Sequence, residues 1–175
     1  RDHLGADVLQ IGLVYVAFSI PNMLLSPIGG RLADRVPRSR LILIFGFAQV
    51  PLFLIYGFLQ TALPVIILQI VHGAIFALIQ PAVDAHLASS PRPDARARTQ
   101  GLYSSFGLVG AFVGANALTA LYTVDYRFPL FALGITYAVG VLTGGTLVRI
   151  SEQRDMAPTA YAGEQETQAA TLQSN

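Results

Sequence analysis

The chain has 175 residues, 53% of them apolar and only 12% charged, with a mean hydropathy of +0.55 and a formal net charge of +1. So few charges cannot cover the surface of a soluble domain of this size, and no soluble interior is large enough to hide the apolar runs that fill residues 8–150. The near-zero balance, with arginines scattered over short segments, excludes a nucleic-acid-binding stripe, and the absence of cysteine excludes disulfides, thiolate metal sites and cysteine nucleophiles.

Five apolar runs follow one another, at about 9–28, 41–59, 63–87, 101–122 and 128–148. Each is near the roughly 20 residues that a helix rising 1.5 Å per residue needs to cross about 30 Å of hydrocarbon. Runs such as Leu41-Ile42-Leu43-Ile44-Phe45 do not alternate as barrel strands do, and unpaired backbone is not tolerated in lipid, so helices are the predicted spans. The predicted fold class is an all-α polytopic membrane protein embedded in a lipid bilayer.

The connecting segments set the orientation. Arg31, Arg35, Arg38, Arg40, Arg92, Arg96, Arg98, Arg149 and Arg154 fall on one side of five alternating spans, and only Arg1 and Arg127 on the other. The basic-rich side is predicted to be cytoplasmic, with the C-terminus on it. The short uncharged connection at 60–64 makes spans two and three antiparallel neighbours, with Pro64 in the first turn of its helix. The proline-rich stretch from Ser89 to Asp94 is predicted to end span three, and the Gln/Glu/Thr/Ala-rich residues 151–175 to form a disordered cytoplasmic tail. The first residue is Arg and no charged leader precedes the first run, which predicts a piece of a longer protein. Basic positions filled by arginine alone fit a GC-rich bacterial gene and hence a bacterial plasma membrane.

Immediately after the first span comes Gly29-Gly30-Arg31-Leu32-Ala33-Asp34-Arg35-Val36-Pro37-Arg38-Ser39-Arg40. The glycines permit a close helix approach, Asp34 is placed near the start of the next helix where a carboxylate meets free amides, and the arginines can hold a phosphate or a carboxylate. This stretch resembles the signature loop of the major facilitator superfamily of secondary transporters, Gly-x-Leu-Ala-Asp-Arg-x-Gly-Arg-Arg/Lys. Gly30, Leu32, Ala33, Asp34, Arg35 and Arg38 match, while Pro37 replaces the usual Gly and Ser39 a basic residue. Gly101-Leu102-Tyr103, the ladder Gly107, Gly110, Gly114, and Asp125-Tyr126-Arg127-Phe128-Pro129 are similar to the family in the same order.

The resemblance implies a twelve-helix fold of two related halves, of which five helices are present. The degenerate loop and the polar tail favour helices eight to twelve, and helices two to six are the other assignment. It also implies a cytoplasmic conformational latch, here Gly30, Asp34, Arg35, Arg38 and Arg40 with Asp84 as partner; plain topology anchoring by the arginines is the competing reading. The remaining helices of the full-length chain are then required partners.

Span three carries Gln69, His72, Phe76, Gln80 and Asp84 at steps of three and four, which puts them on one helical face. Polar groups in a span are costly, so such a face looks into protein or a watery cavity. With Asn22 and Asn116 these residues, Asp84 apart, are the candidate substrate cavity, under an assignment in which spans one, three and four line it. His72 is a candidate for taking up a proton or binding substrate, against a neutral histidine bonded within the bundle. Gly107, Gly110 and Gly114 are candidate packing positions for a tight helix crossing. No metal-ligand set or acid–base pair is present, and no cofactor or catalytic residue is expected. The function expected is secondary transport by alternating access, as proton-coupled efflux of small amphipathic or drug-like compounds; uptake of a small metabolite, a non-transporting membrane subunit and a membrane enzyme are the alternatives.

Overall fold

A computed structural model describes residues 7–89 and 93–173, with side chains over 7–89 and 96–154. Arg1, Arg92 and the 90–92 part of the proline-rich stretch lie outside the described residues. Five helices follow in order: α1 (Val8–Arg35), α2 (Arg38–Tyr56), α3 (Ala62–Ala88), α4 (Pro93–Tyr122) and α5 (Phe128–Gln173). Each contains a window long and apolar enough to cross a membrane, and the chain is a multi-pass membrane protein.

Local chemistry explains the ends. Asp7 caps α1 through a capping box: its Oδ1 accepts from Gln10 N at 2.7 Å, while the Asp7 N–H donates to Gln10 Oε1 at 3.1 Å. Gln10 is therefore committed to the cap. The connection between α2 and α3 is short, and Pro64 falls in the first turn of α3. α4 opens on Pro93, eight residues before the apolar run, for the same reason.

Two differences from the expected boundaries stand out. α1 runs through Asp34 to Arg35, so Asp34 belongs to the last turn of α1 and not to the start of α2. α5 does not stop near Val148 but remains helical to Gln173, where the sequence predicts a disordered tail.

Three pairings organise the bundle. α1 lies along α3, and α2 packs on α5 and also on α3. A Cβ on Gly29 would overlap the Ala77 carbonyl, and one on Gly73 the Phe18 carbonyl, so both glycines are needed for backbone-to-backbone approach of α1 and α3. Antiparallel α2 and α5 interlock through Gly46 against Val141 and Gly145 against Leu43. At the end bearing the 36–37 connection, Ala33, Leu41, Ile42 and Ala82 form a buried cluster that draws α1, α2 and α3 together, with Val148 of α5 against it. α4 touches α3 and α5 only lightly, and α1 and α4 leave the apolar windows that span a membrane unburied.

Candidate functional site

The polar face of α3 is real but divided. Gln69 and His72 line one cavity of about 440 Å³, whose other walls include Phe53 and Tyr56 of α2, Tyr122 of α4 and Tyr126 of the following loop. Phe76 and Gln80 line a second cavity of about 690 Å³, with His86, Tyr103, Tyr137 and Gly144 among its walls. Leu133 of α5 borders both. The 3–4 spacing turns slowly about the α3 axis, so residues on one stripe meet different neighbours along its length. α2 and α5 therefore supply cavity walls, and α1, expected to line the cavity with spans three and four, lines neither.

His72 sits among aromatic rings. Its centroid is 5.4 Å from those of Phe18 and Phe53, with planes at 81° and 87°, and 6.1 Å from that of Tyr56. These near-perpendicular arrangements bring a ring edge toward a π-face. Tyr56 Oη donates to Gln69 Oε1 at 3.1 Å, whereas His72 Nδ1 is buried without a hydrogen-bond partner. At the mouth, Arg127 Nε donates to Tyr126 Oη at 2.8 Å, a bond that holds the guanidinium above its ordinary pKa, and the same guanidinium lies 5.8 Å from the Phe58 ring centroid.

The other candidates are placed elsewhere. Asn22 on α1 accepts from Ser26 Oγ through both its backbone oxygen, at 2.6 Å, and its Oδ1, at 3.3 Å. Asn116 on exposed α4 donates from Nδ2 to Phe112 O at 2.7 Å. Neither lines a cavity with the α3 residues. Gly107, Gly110 and Gly114 have nothing within 4 Å of where a Cβ would stand, so the expected packing seam on α4 has no partner among the described residues. Close approach falls instead to Gly29 and Gly73, and Gly30 is open.

The arginine-rich end also differs from expectation. Among the described residues no ion pair joins Asp34 or Asp84 to Arg35, Arg38 or Arg40; Asp84 Oδ1 instead accepts from Gln80 Nε2 at 2.9 Å, one turn earlier on its own helix. The carboxylate that meets the first amides of α2 is Glu152 of α5, with Oε1 accepting from Arg38 N at 2.8 Å and Ser39 N at 3.4 Å and Oε2 from Ser39 Oγ at 2.5 Å. Pro37, the residue before the helix, has no side chain able to cap. Arg40 and Arg149 flank a 240 Å³ hollow beside this contact. The sequence signal for Glu152 was a lone acid between Arg149 and Arg154, just beyond a span. The rings around His72 carried no such signal, since aromatic residues are equally common facing lipid.

The family model described as Major Facilitator Superfamily matches residues 1–172. Multidrug resistance protein 2 of Bacillus subtilis is 27% identical over 154 residues, covering 85% of this chain and 37% of its own length. Quinolone resistance protein NorA of Staphylococcus aureus is 28% identical over 143 residues, covering 79% of this chain and 35% of its own length. The chain thus spans little more than a third of the curated relatives it matches. No solved structure matches.

Proposed function

Since this chain belongs to the Major Facilitator Superfamily, we propose that it works as one part of a secondary transporter that exports small amphipathic compounds by alternating access, driven by protons. The first α3 cavity carries this reading. At about 440 Å³ it lies in the range of about 300–1,000 Å³ that holds drug-sized molecules, and it has the expected make-up of apolar and aromatic walls with a few polar groups, here Gln69, His72 and Tyr56. The names of the two relatives, one for multidrug and one for quinolone resistance, agree with efflux. We assign the chain to helices eight to twelve of a twelve-helix protein, in a bacterial plasma membrane with the arginine-rich end and the C-terminus cytoplasmic.

At that end the Glu152 carboxylate joins α5 to the start of α2 and serves as the tie, in place of the expected contact of Asp34 and the arginines with Asp84. The reading is tested in everted vesicles carrying the full-length protein, with an amphipathic cationic dye added outside. Dye uptake that requires an inward-acid pH gradient and stops when the gradient is collapsed is expected. Uptake indifferent to the gradient would remove the proton coupling, and none above that of protein-free vesicles would remove efflux.

A further inference from the structure

The first cavity has an uneven division of hydrogen-bonding capacity. Its polar walls are Tyr56, Gln69, His72, Tyr122 and Tyr126, and no carboxylate or guanidinium lines it. Tyr56 and Gln69 are bonded to each other. His72 has no hydrogen-bond partner among the described residues, although it reaches the cavity and lies ten residues into α3. Ten residues are about 15 Å of helix, close to the middle of a bilayer of about 30 Å.

The two ring nitrogens are not equivalent. Nδ1 is buried without a partner among the described residues, and the Phe18 and Phe53 rings pack nearly perpendicular to the imidazole. An N–H directed at a π-face is the least costly way to bury that atom. With the hydrogen on Nδ1, the lone pair is on Nε2, the nitrogen that a molecule in the cavity can reach. The rings of Phe53, Tyr122 and Tyr126 in the same walls offer negative faces to a cation.

We propose that this single Nε2 lone pair is claimed alternately by an N–H of a cationic amine substrate and by a proton, so that His72 both selects N–H-bearing cations and exchanges them for protons. The inference rests on the efflux reading and adds to it the residue and the substrate feature. When the proton binds Nε2, both nitrogens become donors, the acceptor is lost, and a positive charge stands beside the cation site. When the amine binds, its N–H occupies the lone pair and blocks the proton. The other groups facing the imidazole are the phenol of Tyr56 and the rings of Phe53 on α2, Phe18 on α1, and across the cavity the phenols of Tyr122 and Tyr126, the latter bonded to Arg127.

The test uses the full-length protein in membrane vesicles and two probes, an amphipathic tertiary amine in its protonated form and its N-methyl quaternary analogue, with binding measured from pH 5.5 to 8. The wild-type protein is expected to bind the tertiary ammonium about tenfold more tightly near pH 7.5 and to lose that advantage on acidification, by up to about tenfold per pH unit once the imidazole is protonated. His72→Gln keeps an acceptor oxygen but cannot be protonated there, so the preference should persist and its pH dependence vanish; His72→Phe should abolish both. An unchanged pH profile in His72→Gln, or a wild type that treats the two probes alike, overturns the role of His72 while leaving efflux standing. Binding of neither probe by the wild type overturns both. If His72→Phe does not fold, the His72→Gln profile decides.

Discussion

The carboxylate of Glu152 closes the start of α2 from another helix, taking the Ser39 hydroxyl at 2.5 Å and the Arg38 amide at 2.8 Å. Ser39 is almost wholly buried, at 2% exposure, so loss of the carboxylate leaves its hydroxyl and the first amides of α2 without partners. Truncating a cap costs about 0.5–2 kcal/mol, and a buried polar group left unsatisfied about 1–3 kcal/mol. Glu152→Ala should therefore lower stability by about 2 kcal/mol and Ser39→Ala by about 1 kcal/mol, read from thermal unfolding in detergent. A double-mutant cycle should show strong coupling between them; additive losses would mean that the two side chains act apart.

The α1–α3 contact makes a sharper demand. Gly73→Ala drives a methyl group into the Phe18 carbonyl, and overpacking of this kind costs about 1–3 kcal/mol or forces the helices apart. Gly110→Ala meets nothing and should change stability within about 0.5 kcal/mol. The two variants, compared by the fraction that stays monodisperse after mild heating in detergent, should differ clearly; equal losses would place a partner against α4.

Gln49 offers a gain. It is 1% exposed and its Nε2 has no hydrogen-bond partner among the described residues, which costs about 1–3 kcal/mol relative to a satisfied group. Gln49→Met, of similar length and without the donor, is expected to raise the unfolding temperature. A fall would show that the amide is hydrogen-bonded in the folded protein after all.

Orientation can be read directly with single cysteine reporters, placed where this chain has no cysteine of its own. A membrane-impermeant maleimide should label Gln153→Cys in everted vesicles and not in intact cells, and Thr123→Cys in intact cells and not in everted vesicles. The reverse pattern would invert the topology and with it the assignment of the arginine-rich end to the cytoplasm.

Much of the helical skeleton was legible because length and hydropathy suffice to identify a span. Leu41 to Phe45 could not have been a strand in lipid, and the loop from Gly30 to Arg40 carried enough identities to indicate the family. The partners of its charges were not legible. Asp34 and Asp84 looked like the natural acids for Arg38 and Arg40, but which carboxylate reaches α2 depends on where α5 ends in space, and that helix continues past Val148 to bring Glu152 alongside. The glycines show the same limit. The sequence marks Gly107, Gly110 and Gly114 as a seam by their spacing and the Gly29-Gly30 pair as a point of close approach; Gly29 does meet the Ala77 backbone, but the α4 seam is open and Gly73, which carried no pattern, supplies the second backbone contact.

The pairing of α2 with α5 also has a consequence in time. Ser39 and Glu152 are 113 residues apart, and a ribosome adding about 5–20 residues per second needs on the order of ten seconds to make the intervening chain. Over that interval α2 is already in the membrane with its leading amides uncapped and its Gly46 face unmatched. A newborn α2 must wait for α5, leaning on α3 and lipid, and a delay in making α5 prolongs the period in which that face is open to the wrong neighbour.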